Sequence, residues 1–396
     1  MTSNPNYDST GVESYSIPDF HFSNGTTLHD VRVAYRSFNA SSTAGAVLIP
    51  TCYSGLINTT LTFTAGPHAD ALAAYHVIVV AMLGNGESAS PSTKPFFPEA
   101  GTLRYADVVR AQHALLTQHL GVRGGLEAVV GFSMGGQQAY HWAVLYPGFV
   151  KRVVAICSSA RTSLHNYAFL EGPVAALTSS IDYVAWRAMK AKVAAGEPVG
   201  VHLKEVLPKT GLRAFARAYA AWLTSPAWFR QRLFTTMDGA PATVEEWMRA
   251  REEGTMHWDA EDLLVLARMW QMGDIGAVTP VTPVTAASAA SEEEEEEEEA
   301  EPPVTPAAAQ TQLGGKVPDD AAFQAALRGI QAKVLLMPCR TDQYFPPEDS
   351  EVEMQFLQRG TLAVIESVWG HVAGGGLNPA DTTFMNERIA EFMKTE

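Results

Sequence analysis

Leu126–Pro147 reads LEAVVGFSMGGQQAYHWAVLYP. Its opening residues form a short apolar run of strand length. The stretch from about Gly135 to Tyr146 has the length of a helix and stops near Pro147. Between them lies Gly131-Phe132-Ser133-Met134-Gly135, the one G-x-S-x-G in the chain. A strand, this pentapeptide and a helix in succession put the serine on a sharp strand-to-helix turn. The glycines suit such a turn because a Cβ there would meet the neighbouring strand and helix. The helix N-terminus beneath the serine favours developing negative charge. A glycine-rich turn with an incidental serine is the competing reading; the flanking strand and helix favour a nucleophile.

Outward from this turn, strands and helices alternate. Residues 15–37 alternate apolar and polar around Asn24-Gly25, which predicts a β-hairpin. Strands follow at Ala46–Pro50 and Val77–Leu83, and a helix is expected over Tyr105–Leu120, stopping at Gly121. RVVAICS, beginning at Arg152, is the strand after the serine helix. The pattern resumes with a strand at Ala332–Pro338, a helix, a strand at LAVIES from Leu362, and a last helix from about Thr382 to Met393. Such alternation implies an α/β class with a mostly parallel, doubly wound sheet. Residues 164–274 break it with helices rich in Ala, Trp and Arg, which read as an inserted helical unit. Residues 275–318 lose all periodicity and contain Glu292–Glu299, so they read as a disordered insert: like charges repel and too little apolar surface is present to offset ordering. The expected organisation is a core of residues 1–163 and 325–396, a helical cap over 164–274 and the acidic insert over 275–318.

Composition limits the remaining choices. The chain has 396 residues, 46% of them hydrophobic, enough for a large core. Its net charge is −15, yet residues 275–312 account for nine acidic side chains and no basic ones; the rest carries 28 basic and 34 acidic groups. That balance argues against nucleic acid or anionic membranes as partners, since both need clustered Lys and Arg. The longest apolar run, Val77–Leu83, falls far short of the roughly 20 residues of a membrane helix. The first residues show no basic start and no apolar segment, so no secretory signal is expected. Cys52, Cys157 and Cys339 are too few and scattered for a disulfide framework or a cysteine-based zinc site, and a reducing, cytoplasmic setting is expected.

A serine hydroxyl needs a base, and the base an orienting acid. On a sheet of this kind the chain order is Ser, acid, His. Of eleven histidines, His371 in ESVWGHVAGGG is the one in a glycine-rich loop after the late strands. Asp342 stands where the strand 332–338 runs out, whereas Glu348 and Asp349 fall in the next helix. The loop after RVVAICS offers no carboxylate. Ser133, Asp342 and His371 are therefore the expected catalytic residues. Two backbone N–H groups should hold the oxyanion: that of Met134, after the serine, and that of Tyr53, in the loop after Ala46–Pro50. The loop Leu83–Ser88, LGNGES, lacks a complete phosphate-binding pattern and reads as structural. No metal is expected.

These residues resemble the α/β-hydrolase superfamily and, within it, the homoserine O-acetyltransferase-like family. The likeness rests on YADVVRAQHALLTQHLGV (from Tyr105), VVGFSMGGQQAYHWAVLYP (from Val129), GLRAFARAYAAWLTS (from Gly211) and the Asp342 and His371 loops. It implies the α/β-hydrolase fold, the same three catalytic residues, Tyr53 as an oxyanion donor, and a cap that forms the acyl-acceptor pocket. It also implies Arg217 as a substrate contact. Other recognition groups depart from the family: Thr224 stands where a tyrosine is usual, Ala220-Ala221 replaces Gly-His, Val372 replaces the aspartate after the histidine, and Phe132 precedes the serine. A substrate ammonium facing Val372 would be left unpaired, so homoserine is not the expected acceptor.

The expected activity is acyl transfer from a small ester or thioester through an acyl-enzyme, with hydrolysis favoured. An O-acetyltransferase using acetyl-CoA as acyl donor is the alternative, and a non-catalytic binding protein on the same fold a further one. No cofactor is expected. The expected partners are the small-molecule substrate and a second copy of the chain in a homodimer.

Overall fold

The computed structural model describes residues 8–60, 69–197, 207–237, 239–281 and 319–395. β1 (Glu13–His21) and β2 (Thr27–Phe38) form the expected hairpin, with Gly25 at φ +83° in its turn. The sheet continues with β3 (Ala46–Pro50), β4 (His76–Val80), β5 (Ala128–Phe132), β6 (Arg152–Ile156), β7 (Lys333–Met337) and β8 (Gly360–Leu362). Its eight strands run in the order β1-β2-β4-β3-β5-β6-β7-β8. β2 pairs antiparallel with β1 and β4, and all pairings from β4 onward are parallel.

The helices are α1 (Tyr105–Ala114), α2 (Met134–Leu145), α3 (Leu164–Thr178), α4 (Ile181–Ala194), α5 (Lys209–Ala220), α6 (Pro226–Arg230), α7 (Val244–Thr255), α8 (Ala260–Gln271), α9 (Asp320–Gly329), α10 (Pro347–Met354) and α11 (Pro379–Met393). Strand residues alternate between two cores. Leu48, Ile78, Val129 and Val153 join Val108, Val109 and Trp142 of α1 and α2. Val47, Val77, Val130 and Val154 join Met385, Ile389 and Phe392 of α11. Because both faces are covered, the central strands read as unbroken apolar runs.

Helices α3 to α8 lie between β6 and β7 in the chain, and α5 packs on both α3 and α7. Their starts are written locally. Ser163, Ser180, Ser225, Thr243 and Asp259 each accept a hydrogen bond from a first-turn N–H, worth about 1 kcal/mol per cap. Among the described residues, no helix is long and apolar enough to cross a membrane.

Several boundaries differ from the sequence reading. The helix expected over Tyr105–Leu120 is α-helical only to Ala114 and closes with a π-turn, Leu115–His119. LAVIES contributes little strand: β8 ends at Leu362, and Ile365 makes a single bridge to Cys339. α9 begins at Asp320, ahead of position 325, and α11 at Pro379, where Asn378 caps a helix with proline in its first turn. Ile275, placed in the acidic insert, is buried, and the Val281 N–H donates to the Leu145 carbonyl. The rest of that insert, 282–318, lies outside the described residues.

One buried acid ties these layers together. Glu353 of α10 accepts hydrogen bonds from the Tyr140 hydroxyl of α2 and the Ala160 N–H, each at 2.6 Å. Burial, aided by the Asp349 carboxylate, pushes its carboxyl from 4.5 up to about 8. The folded state thus holds a proton that the unfolded chain releases. The resulting stabilisation is complete below about 4.5 and is lost as pH rises through about 8. Glu353→Gln should therefore gain stability relative to the wild type as pH rises across that window. Melting temperatures measured from pH 5 to 8.5 check this; parallel curves for the two proteins would refute it.

Candidate active site

β5 delivers the chain into the turn at Ser133, whose φ of 57° and ψ of −126° lie outside the helical and extended regions. Holding a non-glycine residue there costs of the order of 1–3 kcal/mol. The surrounding backbone fixes it: the Ser133 N–H donates to the Ile156 carbonyl at 2.9 Å, and the Ser158 hydroxyl donates to the Ser133 carbonyl at 2.7 Å. The three nearby glycines are required by space. A Cβ on Gly131 would overlap the Gly135 carbonyl, one on Gly135 would stand 2.7 Å from the Pro50 oxygen, and one on Gly136 would stand 2.5 Å from the Ser158 Cβ.

Ser133, Asp342 and His371, far apart in the sequence, meet here. Asp342 follows β7 and His371 lies in the 3-10 turn Gly370–Gly375. His371 Nδ1 is 2.8 Å from Asp342 Oδ2, and Nε2 is 2.9 Å from Ser133 Oγ. A carboxylate can only accept, so Nδ1 carries the proton, Nε2 presents its lone pair and the Ser133 hydroxyl donates to it. Asp342 Oδ1 accepts from the Tyr344 and Phe345 N–H groups at 2.8 and 3.2 Å, which fixes the carboxylate. All three residues are nearly inaccessible, at 3–4% exposure.

Surrounding residues hold the acid and base loops in register. Thr341 donates its hydroxyl to the Ser367 carbonyl at 2.8 Å and accepts from the Gly370 N–H at 3.1 Å. The inserted helices add three contacts. Gln343 Nε2 donates to the Thr224 carbonyl at 2.9 Å, the Ser225 hydroxyl to the Val368 carbonyl at 2.6 Å, and the Tyr344 hydroxyl to the Tyr219 carbonyl at 3.0 Å. Three aromatic rings enclose the imidazole: Phe132, Tyr344 and Phe345, with centroids 4.7, 4.8 and 5.6 Å away. The sequence reading did not foresee these. Phe132 and Gly374 are complementary, since a Cβ on Gly374 would stand 2.8 Å from the Phe132 ring.

Cys157 lies beside this group; its sulfur and ligand atoms of Asp342 and His371 all fall within 4.8 Å of one another. Burial and the Asp342 charge push the Cys157 thiol well above its ordinary range, so it stays protonated. Both His371 nitrogens are already hydrogen bonded, which leaves neither free for an ion.

A cavity of about 390 Å³ opens above Ser133 and His371, lined among others by Phe215, Tyr219, Leu223, Trp258, Leu263 and Val372. Tyr53 is also on its wall, and its hydroxyl donates to the Leu263 carbonyl at 3.0 Å. Among the described residues, neither the Tyr53 nor the Met134 N–H has a protein acceptor. Met134 is the first residue of α2.

Arg217, expected to contact substrate, does not line the cavity. α5 turns Phe215, Ala216, Tyr219 and Ala220 inward, and Arg217 leaves that face. Its guanidinium bonds Glu245 at 2.7 Å and also Glu252, both on α7. Thr224 is buried against Gly370 and also lies off the cavity wall. LGNGES is structural: Asn85 accepts from the Glu87 and Ser88 N–H groups, and Glu87 accepts from the Ile57 N–H.

Residues 47–177 match the family model described as alpha/beta hydrolase fold. The solved structure of an acetylester hydrolase from Corynebacterium glutamicum superposes with a TM-score of 0.74 at 24% identity, covering 100% of both chains. The chain has the α/β-hydrolase fold. An ethyl acetate hydrolase from Pseudomonas veronii is 28% identical over 358 residues, 89% of this chain and 86% of that protein. A homoserine O-acetyltransferase from Trichormus variabilis is 23% identical over 388 residues, 91% of this chain and 89% of that protein. The chain is accordingly an enzyme of the hydrolase and acyltransferase class.

Proposed function

We propose that the chain hydrolyses small esters through a Ser133 acyl-enzyme. The observation that carries this reading is the continuous hydrogen-bond relay Asp342–His371–Ser133 at the floor of a largely apolar cavity. As Ser133 Oγ attacks the ester carbonyl, its proton passes to His371 Nε2. Asp342 holds the imidazole and offsets its charge, while the Tyr53 and Met134 N–H groups receive the oxyanion. Collapse of the tetrahedral species expels the alcohol, which takes the proton from His371. Water then attacks the acyl-enzyme with His371 as base and restores Ser133.

Hydrolysis is favoured over transfer by the acceptor side of the cavity. Val372, next to the base, lines it, and among the described residues no Asp or Glu does, so an amino-acid ammonium would find no counter-charge there. The likeness to a protein named as an ethyl acetate hydrolase supports the same choice. The likeness to homoserine O-acetyltransferases keeps acetyl transfer from acetyl-CoA to a less polar alcohol as the second reading. Product analysis separates them. The purified protein should release acetate from ethyl acetate, and should make no O-acetylhomoserine from acetyl-CoA and homoserine. Acetyl transfer from acetyl-CoA to any alcohol, faster than ester hydrolysis, would overturn the hydrolytic reading.

A further inference from the structure

The cavity above Ser133 contains a charge, that of Arg251, that no group among the described residues answers. α7 carries Glu245, Glu246, Glu252 and Glu253. Glu245 and Glu252 take Arg217, Glu252 also lies 4.0 Å from Arg213, and Glu246 accepts from the Ala242 N–H. Arg251, on the same helix, receives none of them. Among the described residues it has no ion pair, and its Nε is shielded from solvent with no hydrogen-bond partner. Its guanidinium carbon lies 5.9 Å from the centre of the Trp247 ring.

Arg251 faces the cavity together with Gly254 and Thr255, three and four residues further along the same helix face. Among the described residues the rest of the wall is aliphatic, aromatic, hydroxyl, thiol or imidazole, with no Asp, Glu or Lys. Burial lowers the proton affinity of the guanidinium, which still stays charged at neutral pH. A half-buried charge without a counter-ion is costly to hold. Its planar fork of donors matches a carboxylate. At about 390 Å³, the cavity is near the small end of ligand sites (roughly 300–1,000 Å³).

We propose that Arg251 is an anion-recognition residue of this cavity, and that the preferred substrates are short esters carrying one carboxylate. The inference rests on the hydrolytic reading of Ser133. The carboxylate could belong to either half of the ester, and the two cases share one chemistry. With 4-acetoxybutanoate, water cleaves the acyl–oxygen bond to give acetate and 4-hydroxybutanoate. With monoethyl succinate, it gives succinate and ethanol.

The test compares each acid with its neutral carboxamide, 4-acetoxybutanamide or ethyl succinamate, at pH 7.5. The wild type should favour the acid over the amide in kcat/KM by about tenfold or more in at least one pair, mainly through KM. In Arg251→Gln the ratio should collapse to near one, and Arg251→Lys should restore part of it. The pair that shows the preference identifies which half carries the charge. A wild-type ratio of one or less in both pairs, or a ratio unchanged in Arg251→Gln, overturns the proposal. Should the glutamine variant fail to fold, the wild-type ratios still decide, together with inhibition by 4-hydroxybutanoate against 4-hydroxybutanamide. Ser133-dependent hydrolysis of the amides without acid preference removes the anion site alone. No Ser133-dependent hydrolysis of any of the four esters removes both readings.

Discussion

Ser133→Ala should lower kcat for p-nitrophenyl acetate by about 10⁴-fold or more while leaving the fold intact. The loss follows from geometry: the imidazole lone pair, 2.9 Å from Ser133 Oγ, would have no hydroxyl to activate. The fold should survive because the serine is held by its backbone, through the Ile156 carbonyl and the Ser158 hydroxyl, and alanine keeps both bonds. Alanine also meets the same conformational cost at φ 57° as serine does, so little strain is added or relieved. Circular dichroism and a melting curve would verify the fold, and steady-state rates the loss. Turnover like that of the wild type in this variant would remove Ser133 from the mechanism.

Asp342→Asn should cost about 10⁴-fold in kcat with an almost unchanged melting temperature, for a reason specific to this site. The Tyr344 and Phe345 N–H groups both point at Oδ1, so the asparagine oxygen must occupy that position. Its amide NH₂ then faces His371 Nδ1, where the carboxylate accepted the Nδ1–H hydrogen bond at 2.8 Å. Nδ1 becomes the acceptor, the ring proton moves to Nε2, and Nε2 can no longer take the serine proton. The variant would hold its shape with the imidazole in the wrong tautomer. A loss below tenfold would show that Asp342 does not set the protonation of His371.

What the sequence could reveal depended on how local the governing physics is. The turn around Ser133 was legible because Gly131, Gly135 and Gly136 report steric limits within a few residues of one another. Asp342 and His371 were legible because each follows a late strand in a loop, and chain order did the rest. Arg217 misled because its neighbours in the chain say nothing of Glu245 and Glu252, which reach it from α7. The orphaned guanidinium of Arg251 was hidden for the same reason, since pairing between helices is decided by packing. The strand expected at LAVIES was cut short where pairing with β7 ends at Leu362, a matter of register beyond the reach of propensity.

The contacts of Thr224 and Ser225 have a bearing on redesign. A Cβ on Gly370, next to the base, would stand 2.7 Å from the Thr224 backbone, and the 219–225 segment also receives or gives hydrogen bonds to both late loops. Anyone grafting a foreign cap to change selectivity should therefore keep 219–225 with the catalytic scaffold and place the junctions outside it. A wholesale exchange across this segment would exchange part of the mounting that keeps the imidazole on target.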